Sequence, residues 1–436
     1  MPDQCIILVE SPSALIKLCG ISVLERLLRT LQRCGFKRAL VLSSTPEPIA
    51  RELARPSWAR NRLEVKLQAR PTGAVAMERI AAFWPTDADD PVPVFFANTV
   101  LDQRLLRMFV SRREPAVLVD SAVPARLRSL VSSACGTKRG QLCGAALLRR
   151  DWVRSRKGPW EDALRIGVED QTLVAVDVAD EPLYYAPLSR KLRAYWFPAP
   201  SPDHARLAKR ILLDSAQKGT LDVPAIIHSP IETFIISQIC KTSITPNQLT
   251  ILTNVVAWGA TILLASGRLG WGLALALVVG VLDGLDGKQA RVKVETTKGG
   301  KLEHWFDAFF EISWWVALAY YFHNSRQLPG AFGYLALLLV AQGFDAILKV
   351  GVQSVTGRSI KELGPLERLV HLIGGRRNVF VWLLTIGFLL GASAKAFIVV
   401  VWLAVATAAL HFPRAICVFW QLRKKRQSRD TTLAAS

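Results

Sequence analysis

Apolar and polar positions follow one pattern before about residue 230 of this chain and another after it. In the first part, apolar runs at Cys5–Val9, Arg38–Ser43, Pro93–Phe96 and Ala116–Val119 have the length and bounds of buried strands. Between the first two, Val23–Cys34 repeats apolar residues at helical spacing, with Leu24, Leu27, Leu28 and Leu31 on one face. Strands separated by amphipathic helices predict a parallel α/β sheet covered on both faces. The start, Met1-Pro-Asp-Gln, leads straight into the first strand pattern and shows no signal peptide.

After residue 245 the runs lengthen. A bilayer core of about 30 Å needs about 20 mostly apolar residues per helix. Six stretches meet that need, at 248–266, 270–287, 303–323, 330–351, 377–393 and 396–420. Ile231–Thr242, just before them, reads as an amphipathic helix lying along the membrane surface. The expected organisation is multi-domain: an N-terminal α/β domain at 1–215, a linker and surface helix at 216–245, an all-α six-helix transmembrane domain at 246–420, and a basic tail at 421–436.

Composition supports that division. The chain is 51% hydrophobic yet carries a net charge of +20, a pairing that suits a membrane protein with basic cytoplasmic loops. Nucleic acid is not an expected partner, because the basic residues border apolar segments instead of forming one stripe. The 288–302 and 352–377 loops and the tail hold most of the Lys and Arg around the spans, whereas the opposite loops offer only Arg268, Arg326 and Lys395. The positive-inside rule then puts the α/β domain, the 288–302 loop and both termini in the cytoplasm, with the spans in an inner or cytoplasmic membrane. The seven cysteines are scattered, with no CxxC pair, and read as reduced thiols.

Charged residues within spans are costly and usually functional. Four acids sit at the cytoplasmic ends of the second and third spans: Asp283 and Asp286, three apart, and Glu303 and Asp307, four apart. Each pair shares a helical face. Left alone the four would repel; a pair of divalent cations resolves this, and oxygen donors suit Mg²⁺ or Mn²⁺. Gly287 lets a phosphate approach the backbone, and Arg291, one turn on, can pair with it in bidentate fashion. Two metals and an arginine form a kit for displacement at phosphorus. On the acceptor side, Arg358, Arg368, Arg376 and Arg377 lie at the cytoplasmic ends of the later spans. They read either as a pocket for a phosphorylated acceptor or as positive-inside and head-group contacts. Asp345 and Lys349, one turn apart in the fourth span, read as an intrahelical ion pair.

The run Asp283-Gly-Leu-Asp286-Gly287-Lys-Gln-Ala290-Arg291, followed by Gly299-x-x-x-Glu303-x-x-x-Asp307, resembles the signature of the CDP-alcohol phosphotransferases. The resemblance covers about residues 205–420 and includes the Thr245-Pro-Asn247-Gln-Leu-Thr250 start of the first span. It implies Asp283, Asp286, Glu303 and Asp307 at a two-metal Mg²⁺ or Mn²⁺ site, with Asp307 also the general base, and Asn247, Gly287, Ala290 and Arg291 toward the CDP group. Two features depart from the pattern: the third acid is Glu303 in place of Asp, and the loop after Arg291 is one residue short.

The first part, through Ser13-Ala-Leu-Ile-Lys17-Leu-Cys-Gly20 and Gly35-Phe-Lys-Arg-Ala-Leu-Val-Leu, resembles the sugar-phosphate nucleotidyltransferases, a Rossmann-like fold. The chemistry of that family is missing here. Val9-Glu10-Ser11-Pro12 follows the first strand with no glycine turn, and a carboxylate there repels a triphosphate. The positions of the family's metal-binding aspartates hold Asn98 and Ala199 or Pro200. The expectation is a degenerate nucleotidyltransferase-like domain, in a layout like that of enzymes joining an inositol-phosphate cytidylyltransferase to a CDP-alcohol phosphotransferase.

Together these readings imply an enzyme that moves a phosphoalcohol or phosphatidyl group from a CDP-alcohol to an alcohol or phosphorylated alcohol and releases CMP. The resemblance also implies a homodimer. A membrane-anchored, catalytically degenerate protein that binds CDP-alcohol or nucleotide stands as the alternative.

Overall fold

The computed structural model describes residues 3–55, 60–71, 76–85, 90–219, 222–295 and 300–434, with backbone only at 300–306 and 422–434. Two compact units divide the chain: the first is 1–217 with 236–243 and 288–296, the second 218–235, 244–287 and 297–436.

The first unit is built on a sheet whose main strands are β1 (Gln4–Val9), β2 (Arg38–Ser43), β3 (Glu64–Ala69), β4 (Val92–Phe96), β5 (Ala116–Asp120), β6 (Gly140–Leu148) and β7 (Val174–Asp177), in the spatial order β7-β5-β6-β4-β1-β2-β3. β1 pairs in parallel with β2 and β4, as do β2 with β3 and β7 with β5. β1, β4 and β5 are buried at nearly every position, as strands covered on both faces must be.

β6 departs from the expected all-parallel sheet. It runs antiparallel to both β4 and β5. Gln141 at its start pairs with Asp120 at the end of β5, so the chain returns into the sheet from the edge it has just left. That geometry is antiparallel by construction. Its sequence, GQLCGAALL, has no β-branched residue, which removes the usual strand signal.

Helix α1 (Val23–Arg33) starts at Ser22, whose hydroxyl accepts from the Glu25 amide at 3.1 Å. Leu24, Leu27, Leu28 and Leu31 are buried as expected, but so are Glu25, Arg26, Arg29 and Thr30. The polar side of α1 faces residues 288–296 of the same unit. Arg26 Nη1 donates to the Val292 carbonyl at 2.7 Å, and Arg29 Nη1 to Lys293 O at 3.0 Å and Glu295 Oε1 at 3.2 Å. An amphipathic pattern reports where the core lies; a segment remote in sequence has covered the other side. Shorter helices α2 (Gln103–Val110), α3 (Trp160–Glu169) and α4 (Ala205–Ser215) complete the layers used below.

The second unit is helical. Its elements are α5 (Ala225–Ile239), α6 (Pro246–Ala265), α7 (Leu269–Val292), α8 (Gly300–Asn324), α9 (Ala331–Thr356), α10 (Pro365–Ile373), α11 (Arg377–Leu389) and α12 (Ser393–Ala434), the ends of α5 and α7 belonging to the first unit. Helices cover all six expected spans. Among the described residues, α6, α7, α9 and the 393–421 part of α12 are long and apolar enough to cross a membrane, and the α10–α11 pair, bent by 48°, makes a fifth candidate. The expected third span lies in α8, which carries Asp307, Glu311 and several Trp and Tyr residues. Among the described residues α8 is not one of the span candidates; its Phe310, Trp314, Trp315 and Phe322 are buried in the helical core.

Gly140 opens β6 at φ +138°, and a Cβ there would lie 2.5 Å from the Asp120 carbonyl oxygen. Gly140→Ala should destabilise the sheet by about 1–2 kcal/mol or more from backbone conformation alone. Hydrogen exchange measured on the intact protein should then speed up in β5 and β6 and stay unchanged in α6 and α9. Unaltered exchange in β5 and β6 would refute the strain.

Candidate functional site

The acidic end of α7 is fixed by two neighbours within the second unit. Thr245 caps α6: its hydroxyl accepts from the Gln248 amide at 3.3 Å, and Gln248 Oε1 accepts from the Thr245 amide at 2.9 Å, with Pro246 in the first turn. One turn on, Thr250 Oγ1 donates to Asp286 Oδ2 at 2.7 Å, and the Gly287 amide donates to Asp286 Oδ1 at 2.5 Å. Asp286 is 5% exposed, so both bonds matter: a buried carboxylate without donors is strongly disfavoured.

Asp283 has an ionic partner. Its Oδ2 lies 2.6 Å from Arg377 Nη2, at the start of α11. The Arg377 guanidinium stacks over the Phe310 ring with its centre 4.8 Å from the centroid, and the charges of Glu311 and Asp307 on α8 also act on it. Glu311 Oε1 in turn accepts from Gln342 Nε2 on α9 at 3.0 Å. Arg377 is thus the cation among the acids of α7 and α8. The next residue back, Arg376, pairs with Asp222 at 3.3 Å and donates to His371 Nε2 at 3.0 Å. Asn378 and Trp382 of α11 reach Asp222 at 3.5 Å and His228 Nε2 at 3.3 Å.

A further acid arrives from α5. A Cβ on Gly284 would sit 2.4 Å from Glu232 Oε1, so glycine at this position admits a carboxylate against α7. The pattern reading had passed over Glu232; the available signal was a glycine inside an apolar helix, which marks a close approach.

The remaining expected residues divide. Ala290 is buried, Asn247 is exposed on the first turn of α6, and Asp307 is half-buried on α8. Glu303 lies on α8, its side chain outside the described residues. Arg291 belongs to the first unit, where its Nε donates to the Ala216 carbonyl at 2.7 Å. Of the four arginines, Arg376 and Arg377 face Asp222 and Asp283, while Arg358 and Arg368 are exposed and make no ion pair among the described residues. Spacing alone could not separate these pairs, because all four lie in the one stretch, 352–377, between apolar segments. The expected Asp345–Lys349 ion pair forms at 2.5 Å, and His411 of α12 adds a contact to Asp345 at 2.5 Å.

As a metal centre, the described donors are carboxylate oxygens, and carboxylates suit a hard divalent ion. Asp286 keeps lone pairs beyond the two hydrogen bonds it accepts. Among the described residues no group of three His, Cys, Asp or Glu side chains is gathered as a metal site; Glu303, expected to complete the set, is outside them.

In the first unit, the Ala199 amide donates to the Asn98 carbonyl at 2.6 Å. The two positions expected to hold metal-binding aspartates are therefore adjacent, and neither is a carboxylate. Glu10 is exposed at the end of β1. Burial first, then the charges of Glu10 and Asp162, raise the Glu161 carboxyl above its ordinary range, and the Glu10 charge also acts on Arg70.

Residues 243–412 match the model of the CDP-alcohol phosphatidyltransferase family. The helical half is similar to CDP-alcohol phosphatidyltransferase domains. The chain is also similar to proteins named bifunctional IPC transferase and DIPP synthase: 29% identical over 294 residues to that of Rubrobacter xylanophilus, covering 65% of this chain and 59% of the relative, and 26% identical over 236 residues to that of Thermococcus kodakarensis, covering 52% and 51%. It thus spans about half the length of the curated relatives it matches. Among solved structures, UDP-glucose pyrophosphorylase from Acinetobacter baumannii matches 48% of this chain and 92% of its own at 11% identity and TM-score 0.35. The inositol-1-phosphate CTP transferase from T. maritima matches 48% and 96% at 10% identity and TM-score 0.34.

The Thr250 hydroxyl should contribute about 1.5–3 kcal/mol as a hydrogen bond to a charged group. Thr250→Val should lower the thermal midpoint of the helical unit in detergent, and Thr250→Ser should restore most of the loss. A loss in Thr250→Ser equal to that in Thr250→Val would show that the hydroxyl bond to Asp286 does not by itself carry the effect.

Proposed function

We propose that this protein catalyses transfer of a phosphoalcohol or phosphatidyl group from a CDP-alcohol to an acceptor alcohol, releasing CMP. The observation that carries this is the acidic end of α7, where Asp283 and Asp286, one turn apart, are each held by a dedicated partner inside the segment that matches the family. In this reading Asp283, Asp286, Glu303 and Asp307 hold two Mg²⁺ or Mn²⁺ ions. Those ions, when bound, neutralise the diphosphate and stabilise the charge that builds up on it.

The protein's own groups do the rest. Asn247, Gly287, Ala290 and Arg291 hold the CDP portion, with Gly287 allowing the phosphate close to the backbone. The acceptor oxygen attacks the phosphorus that carries the donor alcohol, the bond from that phosphorus to the bridging oxygen breaks, and CMP leaves with that oxygen. Asp307 takes the acceptor's hydroxyl proton as general base. Arg376 and Arg377 bind a phosphate on the acceptor, which makes a phosphorylated alcohol the favoured class. Arg358 and Arg368, being exposed, are left out of that pocket. The chemistry faces the cytoplasm, as the basic loops suggest, and the first unit performs no nucleotidyl transfer.

Purified full-length protein given a CDP-alcohol, an acceptor and Mg²⁺ or Mn²⁺ should release CMP, and chelation should stop it. Asp283→Asn and Asp307→Asn should each reduce release by roughly 10²-fold or more while the proteins remain folded. Unchanged turnover in both variants would overturn the assignment, and CDP-alcohol binding without CMP release would favour a degenerate binding protein. The same preparation given CTP and a phosphorylated polyol should yield no pyrophosphate; release of pyrophosphate would refute the loss of function in the first unit.

A further inference from the structure

Neither Asn98 nor Ala199 lines a small cavity in the first unit, about 90 Å³ in volume. It is lined entirely by first-unit residues, among them Arg26 and Arg33 from α1, Arg104 from α2, and Arg291. One carboxylate, Asp102, shares the lining, and it is committed to Arg104, with Nη2 to Oδ2 at 2.9 Å. Arg26, Arg33 and Arg104 set three guanidinium groups against that one carboxylate, with the Glu295 charge also acting on Arg33.

The other contacts do not remove the positive charge of these groups. Arg26 donates to the carbonyls of Val292 and Leu18 at 2.7 and 3.1 Å, and Arg33 to the carbonyl of Glu295. These acceptors are neutral, and among the described residues no carboxylate hydrogen-bonds Arg26 or Arg33. Both have a buried Nε with no hydrogen-bond partner. Arg26 is only 2% exposed. Leaving such a donor unpaired costs about 1–3 kcal/mol. Burial, the first cause for each, lowers the basicity of both guanidinium groups, and a bound anion reverses that cost. Arg104 is held in place by Asp102 and by the Tyr185 ring, with its centre 4.7 Å from the centroid.

We infer that this cavity binds one tetrahedral oxyanion of the phosphate type. The cavity, at about 90 Å³, has room for several ordered waters or one compact anion. Arginine is the side chain suited to such an ion, through paired N–H donors in a fixed fork. The ion is either free inorganic phosphate or the phosphate end of a phosphomonoester that extends out of the cavity.

The test uses the full-length protein in detergent at constant ionic strength, titrated with inorganic phosphate, with glycerol phosphate, and with chloride as the control. Phosphate should slow hydrogen exchange across residues 26–33 and 101–104, and chloride should not. Arg33→Gln should weaken binding, read by calorimetry, about tenfold or more, and Arg33→Lys should recover part of it. Tighter binding of glycerol phosphate than of phosphate identifies a phosphomonoester; equal or weaker binding identifies the free ion. Absence of phosphate-specific protection in the wild type overturns the inference without any variant, as does unchanged affinity in a folded Arg33→Gln protein.

Discussion

Two carboxylates one helical turn apart, at the end of an otherwise apolar helix, set the central constraint on the second unit. Negative charge in a medium that solvates it poorly must be met by a cation or by hydrogen-bond donors. Asp286 takes the second course, through the Thr250 hydroxyl and the Gly287 amide. Asp283 takes the first, through Arg377. The capping box at Thr245, the stacking of Arg377 on Phe310 and the glycine opposite Glu232 all follow from keeping those two groups in place. An ion pair of this kind contributes little net stability once desolvation is counted. Its value lies in holding geometry, as a site that must receive further charge requires.

Charge is handled differently in the first unit. Helix α1 brings Arg26 into the interior, where the backbone carbonyls of Leu18 and Val292 take up much of its donor capacity, while Arg29 meets the carboxylates of Glu25 and Glu295. Carbonyl dipoles satisfy hydrogen bonds without cancelling charge. This leaves the arginine-lined cavity positive, while the acids Glu10, Glu161 and Asp162 gather near the end of β1. The arginine-lined cavity elsewhere in the same unit favours an anion.

Much of this was legible in the sequence because it rests on local spacing. Apolar runs located β1, β2, β4, β5 and α1, since burial of a strand or a helix face is written in consecutive residues. The acids of α7 stood out because charge in an apolar run is costly. The run Gly140–Leu148, lacking β-branched residues, gave no strand signal, and its antiparallel direction depends on where the chain re-enters the sheet. The expected third span is a helix, α8, that carries Trp and carboxylate residues and is not among the membrane-span candidates of the described residues.

By itself the sequence determined the α/β-then-helical order, the long apolar helices and the spacing that sets Asp283 beside Asp286. Each is a property of residues within one or two turns of one another. Only the tertiary structure decided which groups answer those charges: Arg377, 94 residues from Asp283, His411, 66 residues from Asp345, and Glu232 against Gly284. It also separated Arg376 and Arg377 from Arg358 and Arg368, and turned the polar side of α1 inward. The reason is physical: a charge can be satisfied by any complementary group that packing brings within about 3 Å, and that distance carries no trace in the separation along the chain.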